Sequence, residues 1–260
     1  MAVVLAVCAA APVAAAEQRD ALADARRLYN QRNFAEAIAS AEQARLAPTR
    51  VDSADLIAAR AYLERFRESG APDDLTNARD RLRRLDPQRF VARERLELVV
   101  GLGEVLYFDE AYGASASLFA SALDAPDGLA PESRDRVLDW WASAVDRDAH
   151  PRPDIDRQAI YDVVTARMQR ELAGHPASAT ASYWLAAAAR GKGDLQGAWD
   201  AAEAGWVRAP LAADKGAALR ADLDRLMQRA VIPERAKMLA QTPDALRLQW
   251  EQFKDRWKKD

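Results

Sequence analysis

The strongest constraint on the fold is a series of paired amphipathic stretches that end at regularly spaced prolines. Pro48, Pro87 and Pro126 follow the first three pairs at two equal steps of 39 residues. Within each stretch, small or apolar residues recur every three to four positions, which is the spacing of one helix face. Proline lacks the amide hydrogen that a helix needs to continue, so it closes each pair. A repeat of this length predicts a stack of helical hairpins.

The clearest copy of the pattern lies between Gly101 and Leu123, where small and large residues alternate as in two short helices packed together. The first helix is predicted to end near Tyr107 and the second to begin near Glu110. So short a connection makes the two helices antiparallel neighbours.

The remaining chain follows the same plan less regularly. The first pair is predicted at residues 18–31 and 34–46, and the second at residues 53–68 and 73–85. A fourth pair is predicted at residues 131–146 and 155–173, separated by a polar loop at residues 147–153. A fifth pair covers residues 179–207. Two more helices are predicted at residues 212–230 and 243–258, and the terminal helices of such a stack cover the end of its core.

Composition agrees with a helical protein. Half of the 260 residues are apolar and only 11 are glycine, while good helix formers such as Ala, Leu, Arg and Glu dominate. No series of alternating β-branched stretches is present, so we expect an all-α fold. The net charge of -3 gives no reason to expect nucleic acid or an anionic membrane as partner.

Small and aromatic residues in these pairs resemble those of the tetratricopeptide repeat (TPR) family. In the copy between Gly101 and Leu123 the matching residues are Leu102, Gly103, Leu106, Tyr112, Ser115, Phe119 and Ala122. The first and fifth pairs match similarly, whereas the second and fourth depart through longer turns. The resemblance implies an α-solenoid of about five antiparallel helix pairs, a TPR-like superhelix over residues 17–210, with capping helices at residues 211–260. Armadillo-type and other α-solenoids remain the structural alternative.

The same resemblance implies a bacterial, non-enzymatic scaffold or adaptor that binds another protein or peptide, and the first 16 residues predict its export. The family generally binds its partners along an inner groove lined by the first helix of each pair. Aromatic and arginine side chains suit such recognition because they combine apolar area with directed polar groups. The groove residues implied here are Arg26, Tyr29, Asn30, Arg60, Glu64, Glu104, Tyr107, Phe108, Tyr183 and Arg190.

Motifs for catalysis or cofactor binding are weak, and we predict neither catalytic residues, nor a metal, nor a cofactor. The one alternative is a metal-dependent hydrolase that uses the loop from Asp146 to Asp156. Carboxylate oxygens and an imidazole could hold a divalent ion there. We favour a solvated loop with helix-capping aspartates. The acidic and histidine residues concerned are Asp146, Asp148, His150, Asp154 and Asp156.

The first 16 residues are apolar and uncharged and end in three alanines, which predicts a secretory signal peptide cleaved near Ala16. The expected location is therefore periplasmic or secreted. A lipoprotein modified at Cys8 and a cytoplasmic protein are the alternatives that we favour less. This apolar segment is too short to be a convincing membrane span, so we predict no transmembrane segment.

The last predicted helix provides a structural alternative to partner binding. Its apolar stripe consists of Leu246, Trp250, Phe253 and Trp257, at helical spacing of four, three and four. Such a stripe could dock on a second copy of the chain, so self-association through the C-terminal helix is the second hypothesis for the function.

Overall fold

The computed structural model describes residues 11–125 and 128–258, with side chains described from residue 21 onward. This part of the chain is helical and contains no strand, which confirms the all-α class. No helix among the described residues is long and apolar enough to cross a membrane. The chain divides between residues 127 and 128 into two compact units, unit 1 and unit 2. That boundary falls inside the predicted repeat region at 17–210.

Unit 1 consists of three helix pairs. In each pair the second helix packs against the first, and the first helices also contact one another in chain order. The helices are α1 (Ala11–Asn30), α2 (Phe34–Ala44), α3 (Val51–Ser69), α4 (Pro72–Leu82), α5 (Ala92–Phe108) and α6 (Tyr112–Leu123). All six helices were predicted. The observed ends of α2 to α6 lie within a few residues of the predicted ends, whereas α1 begins at Ala11 rather than at residue 18. The region 1–10 of the predicted signal peptide lies outside the described residues.

Prolines begin short turns of 3-10 helix after the first two pairs, at Pro48–Arg50 and Pro87–Arg89. Each of these prolines occupies the first position of its turn, where a missing amide hydrogen has no cost because no partner would be available for it. The periodic prolines therefore mark equivalent connections between successive pairs. Pro126, the third of the series, lies outside the described residues.

The third pair packs through small residues on α5. Gly103 lies against the ring of Phe119, which is fully buried, and a Cβ at Gly103 would be 2.7 Å from the nearest ring carbon. Ser115 of α6 is also buried, and its hydroxyl donates a hydrogen bond to the Gly103 carbonyl oxygen over 2.8 Å. The close approach of α5 and α6 thus depends on the absence of a side chain at Gly103.

Unit 2 contains the fourth and fifth pairs and the C-terminal helices. Helix α9 packs against α7, α8, α10 and α11, and so lies at the centre of the unit. The helices are α7 (Pro131–Ala149), α8 (Asp154–Gly174), α9 (Ala179–Gly191), α10 (Leu195–Arg208), α11 (Ala217–Leu226), α12 (Ile232–Leu239) and α13 (Pro243–Arg256).

Two predicted boundaries in unit 2 are wrong. Helix α7 continues to Ala149, so the predicted loop at residues 147–153 shrinks to four residues before α8. The predicted helix at 212–230 begins only at Ala217 and runs on through a π-helical segment, Met227–Val231, into α12. Pro233 follows that segment. A proline inside a helix removes one hydrogen bond and clashes with the carbonyl four residues earlier, and the wider π turn accommodates both effects.

Helix α13 uses its predicted apolar stripe within unit 2. Leu246, Trp250 and Phe253 are buried and belong to one core cluster with residues of α10, α11 and α12. The Trp250 indole N–H donates to Asp224 Oδ1 over 2.8 Å, so the ring is also held by a polar contact. Most of the stripe is therefore occupied inside the unit, and only Trp257 remains exposed.

Candidate functional site

In unit 1, side chains from three first helices meet on one surface. Arg26 of α1 donates to Glu94 Oε1 of α5 over 2.5 Å, and the hydroxyl of Ser53 on α3 donates to the same oxygen over 2.7 Å. The ion pair between Arg26 and Glu94 therefore spans α3 at Ser53, which has a short side chain. We call the surface formed here by Arg26, Ser53, Arg60, Glu94 and Glu97 the first-helix surface.

Arg60 lies at the centre of this surface. Its guanidinium carbon is 4.8 Å from the centroid of the Tyr29 ring, and its Nη1 is 3.2 Å from Glu97 Oε2. Burial alone would lower the pKa of Arg60, but attraction to Tyr29, Glu97 and Glu104 outweighs burial and raises it. Arg60 therefore remains charged within a closely packed ionic network.

Two buried carboxylates complete the network. Glu64 accepts a long hydrogen bond of 3.4 Å from the Tyr29 hydroxyl and one of 2.8 Å from Arg67. Glu104 is buried and acts on Arg60 electrostatically. Buried carboxylates of this kind need charged or hydrogen-bonding partners, because leaving one unpaired costs several kcal/mol, about 3–5 kcal/mol in measured cases.

Half-buried aromatic rings lie where α3 and α5 end. Phe108 meets Phe66 edge-on at a centroid separation of 4.8 Å, and Tyr107 meets Phe108 at 5.9 Å. Tyr107 also contacts Tyr112 at 5.3 Å. Since these rings are partly accessible and hold one another in place, they provide an ordered apolar area beside the charged network.

The predicted groove residues of unit 1 are thus mostly brought together. Tyr29, Arg60, Glu64 and Glu104 share the ionic network, and Arg26 pairs with Glu94 on the same first-helix surface. The aromatic cluster contains the predicted residues Tyr107 and Phe108, while Asn30 is exposed at the end of α1.

Ser53, Glu94 and Glu97 were not among the predicted groove residues. Glu97 and Glu104 are seven residues apart, so they lie on the same face of α5, and Glu94 lies one turn earlier on that face. This spacing was a usable signal for both glutamates. Nothing in the sequence distinguishes Ser53 from other small residues.

In unit 2 the two predicted groove residues line a cavity of about 230 Å3. Tyr183 and Arg190 of α9 form part of its wall, together with Tyr161 of α8 and Trp184 of α9. Gly191 makes room for the Tyr161 ring, because a Cβ at this position would be 2.3 Å from the ring carbon Cζ. The cavity is a concave site of the kind that holds a small group.

Polar contacts hold the cavity wall. The Tyr161 hydroxyl donates to Asp146 Oδ1 over 2.6 Å, and burial, followed by this hydrogen bond, raises the pKa of Tyr161. Arg190 forms hydrogen bonds of 2.6 and 3.0 Å to Glu234 of α12. The hydrogen bond to Glu234 raises the pKa of Arg190 against the opposing effect of burial.

The acidic loop does not assemble into a metal site. Asp146 accepts from Tyr161, Asp148 pairs with Arg152 over 2.7 Å, and Asp154 pairs with Arg157. Among the side chains described, those of residues 21–125 and 128–258, no group of three or more His, Cys, Asp or Glu converges as metal ligands would.

Comparisons of the chain with protein-family models, with curated proteins and with solved structures find no match. The resemblance to tetratricopeptide repeats thus stays a prediction that rests on the residues themselves.

Proposed function

We infer that the chain is an exported, non-enzymatic scaffold with a TPR-like arrangement of helix pairs, and that it binds a protein or peptide on the first-helix surface of unit 1. The observation that carries this proposal is the contact of Arg26, Ser53 and Glu94, which joins the three first helices of unit 1 into one polar surface. The neighbouring aromatic cluster supplies apolar area.

The chemistry of this surface suits recognition. Its charged side chains are already held by partners within the protein. Binding a ligand would therefore cost little free energy for ordering these side chains. Arginine and tyrosine are the side chains that most often dominate binding energies at interfaces, and both are present here. The surface carries both arginines and glutamates, so positive and negative charges are mixed on it. This favours a partner with a mixed, complementary charge pattern.

A capture experiment with point variants tests the proposal. The purified chain, beginning at Glu17, is immobilised and exposed to an extract of the bacterial cell envelope. Arg26→Ala and Tyr107→Ala should each lose a protein that the unchanged chain captures. Arg27→Ala is the matched control, because Arg27 is the next residue of α1 and pairs with Asp24 on the exposed side. Capture that is equal for all variants, or no capture by the unchanged chain, would contradict the proposal.

Export is a separate part of the proposal, and it rests on the apolar, uncharged first 16 residues. N-terminal sequencing of protein recovered from a bacterial periplasm should begin near Glu17. A retained Met1 would contradict cleavage of a signal peptide.

Self-association through α13 is the second candidate, and two exposed apolar side chains favour it. Leu248 and Trp257 are 59% and 46% exposed. Deleting residues 243–260 would uncover the core under α13, so a double variant, Leu248→Ser with Trp257→Ser, is the sharper test. Light scattering should show a dimer that the double variant loses. A monomer before and after the change refutes this candidate.

A further inference from the structure

The cavity of unit 2 combines two features that the first-helix surface does not explain: three aromatic side chains and a pair of arginines in its wall. We propose that this cavity binds a small organic carboxylate that bears a flat ring. The proposal does not rest on protein binding by unit 1, since none of its residues belongs to that surface.

The interior suits a ring. Tyr161, Tyr183 and Trp184 contribute aromatic faces or edges, and Leu226 adds aliphatic area. Tyr183 and Trp184 meet edge-on with centroids 5.6 Å apart. The Trp184 indole N–H donates to Asp139 Oδ1 over 2.8 Å, which holds the ring in one orientation. Aromatic walls that are already ordered favour a planar occupant through offset stacking or edge contacts.

The size limits the occupant to a small molecule. The cavity measures about 230 Å3, below the roughly 300–1,000 Å3 of sites for drug-sized ligands. One ring with a short acidic side chain is of the appropriate size. A nucleotide or a folded peptide segment is too large to enter.

The arginines of the cavity wall favour a carboxylate as the head group of the ligand. Arg157 and Arg190 both line the cavity, and both act on the Tyr161 hydroxyl electrostatically, so they lie near the same point. Guanidinium groups bind carboxylates through paired N–H donors. His150, which also lines the cavity, is a further potential donor. Among the described residues that line the cavity, Asp146 is the one carboxylate, and it already accepts a hydrogen bond from the Tyr161 hydroxyl.

Arg157 has a partner that an incoming carboxylate could replace. Arg157 pairs with Asp154, whose side chain is 85% exposed, and Arg190 pairs with Glu234, whose side chain is 41% exposed. The pair between Arg157 and the exposed Asp154 contributes little stability, about 0–1 kcal/mol, whereas Arg190 keeps its paired hydrogen bonds to Glu234. A carboxylate held in the cavity loses water on binding, but it gains charge-assisted hydrogen bonds from Arg157. The exchange of partners is therefore inexpensive for the protein.

Three probes with the same ring and different head groups test the charge requirement. They are 4-hydroxyphenylacetate, its neutral amide and the cation tyramine, each titrated into the full chain by calorimetry and by NMR. The acid should bind, the amide should bind at least about tenfold more weakly because it loses a charge-assisted hydrogen bond, and tyramine should not bind.

Variants locate the site. Arg157→Gln should weaken binding of the acid about tenfold, and Asp154→Asn should tighten it, because Arg157 is then released from its partner. Arg247→Gln is the matched control: Arg247 pairs with Asp244 three residues earlier, and Asp244 is 88% exposed, but neither residue lines the cavity. Failure of the acid to bind, equal binding of the amide, or equal effects of Arg157→Gln and Arg247→Gln would each overturn the proposal.

Discussion

Adding a single methyl group at Gly103 should destabilise unit 1, although the same change normally strengthens a helix. A Cβ at this position would be 2.7 Å from Phe119 Cε1 and 3.0 Å from Cδ1, well inside ordinary contact. Phe119 has no exposed surface, so its ring cannot turn outward. Alanine gains about 1 kcal/mol of helix propensity over glycine, whereas overpacking of a core costs about 1–3 kcal/mol. We expect Gly103→Ala to lower the free energy of unfolding by up to about 2 kcal/mol.

The same helix provides the control. A Cβ at Gly101 would meet its nearest atom, the Cδ1 methyl of Leu82, at 3.3 Å, and a flexible side-chain end can move by a few tenths of an ångström. Gly101→Ala should therefore leave stability within about 0.5 kcal/mol of the original or raise it slightly, because the propensity gain remains.

Urea unfolding followed by circular dichroism measures both variants. All seven tryptophans lie in unit 2, so tryptophan fluorescence follows that unit separately. In a Phe119→Leu background the clash at residue 103 is relieved, and Gly103→Ala should then stabilise by up to about 1 kcal/mol. If Gly103→Ala is as stable as Gly101→Ala in the original background, the Phe119 ring does not clash with a side chain at residue 103.

Three further changes test unit 2. Gly191→Ala should displace the buried Tyr161 ring and lower stability by about 1–3 kcal/mol in urea unfolding, with no loss if the ring has room to move. Gly174→Ala, where a Cβ would meet no atom within 4 Å, should instead raise stability by about 0.4–1 kcal/mol. A hydrogen bond from Arg134 lowers the pKa of Glu171 below 4.5 despite burial, so its stabilising effect is present above pH 4.5 and is lost as the pH falls through the lowered pKa. Glu171→Gln should therefore flatten the acid side of the stability profile, and an unchanged profile would refute this assignment.

Most helices could be predicted because their ends carry local signals. Prolines after the pairs and apolar spacing within them are enough to identify α2 to α10 within a few residues. The prediction failed where a proline did not end a helix. Pro233 follows a π-helical segment that keeps the chain helical from α11 into α12, and hydrophobic spacing alone cannot distinguish this from a break.

The candidate sites were less predictable, because side-chain partners depend on packing between helices. Helical spacing places Arg60 and Tyr183 on exposed or half-exposed faces, but it does not say what faces them. In the structure Arg60 lies in an ionic network with Glu97, whereas Tyr183 lines a cavity with Arg190. Residues given the same role by resemblance therefore have different surroundings in the two units.

Small residues determine what each of these sites can hold. Ser53 has a side chain short enough for the pair between Arg26 and Glu94 to pass in front of α3. Gly191 allows the Tyr161 ring to lie against α9 and form the cavity wall. Ser53 and Gly191 contribute little apolar area of their own. They affect function because their small size leaves space for neighbouring side chains. A larger residue at either position would change the site before it changed the helix that contains it.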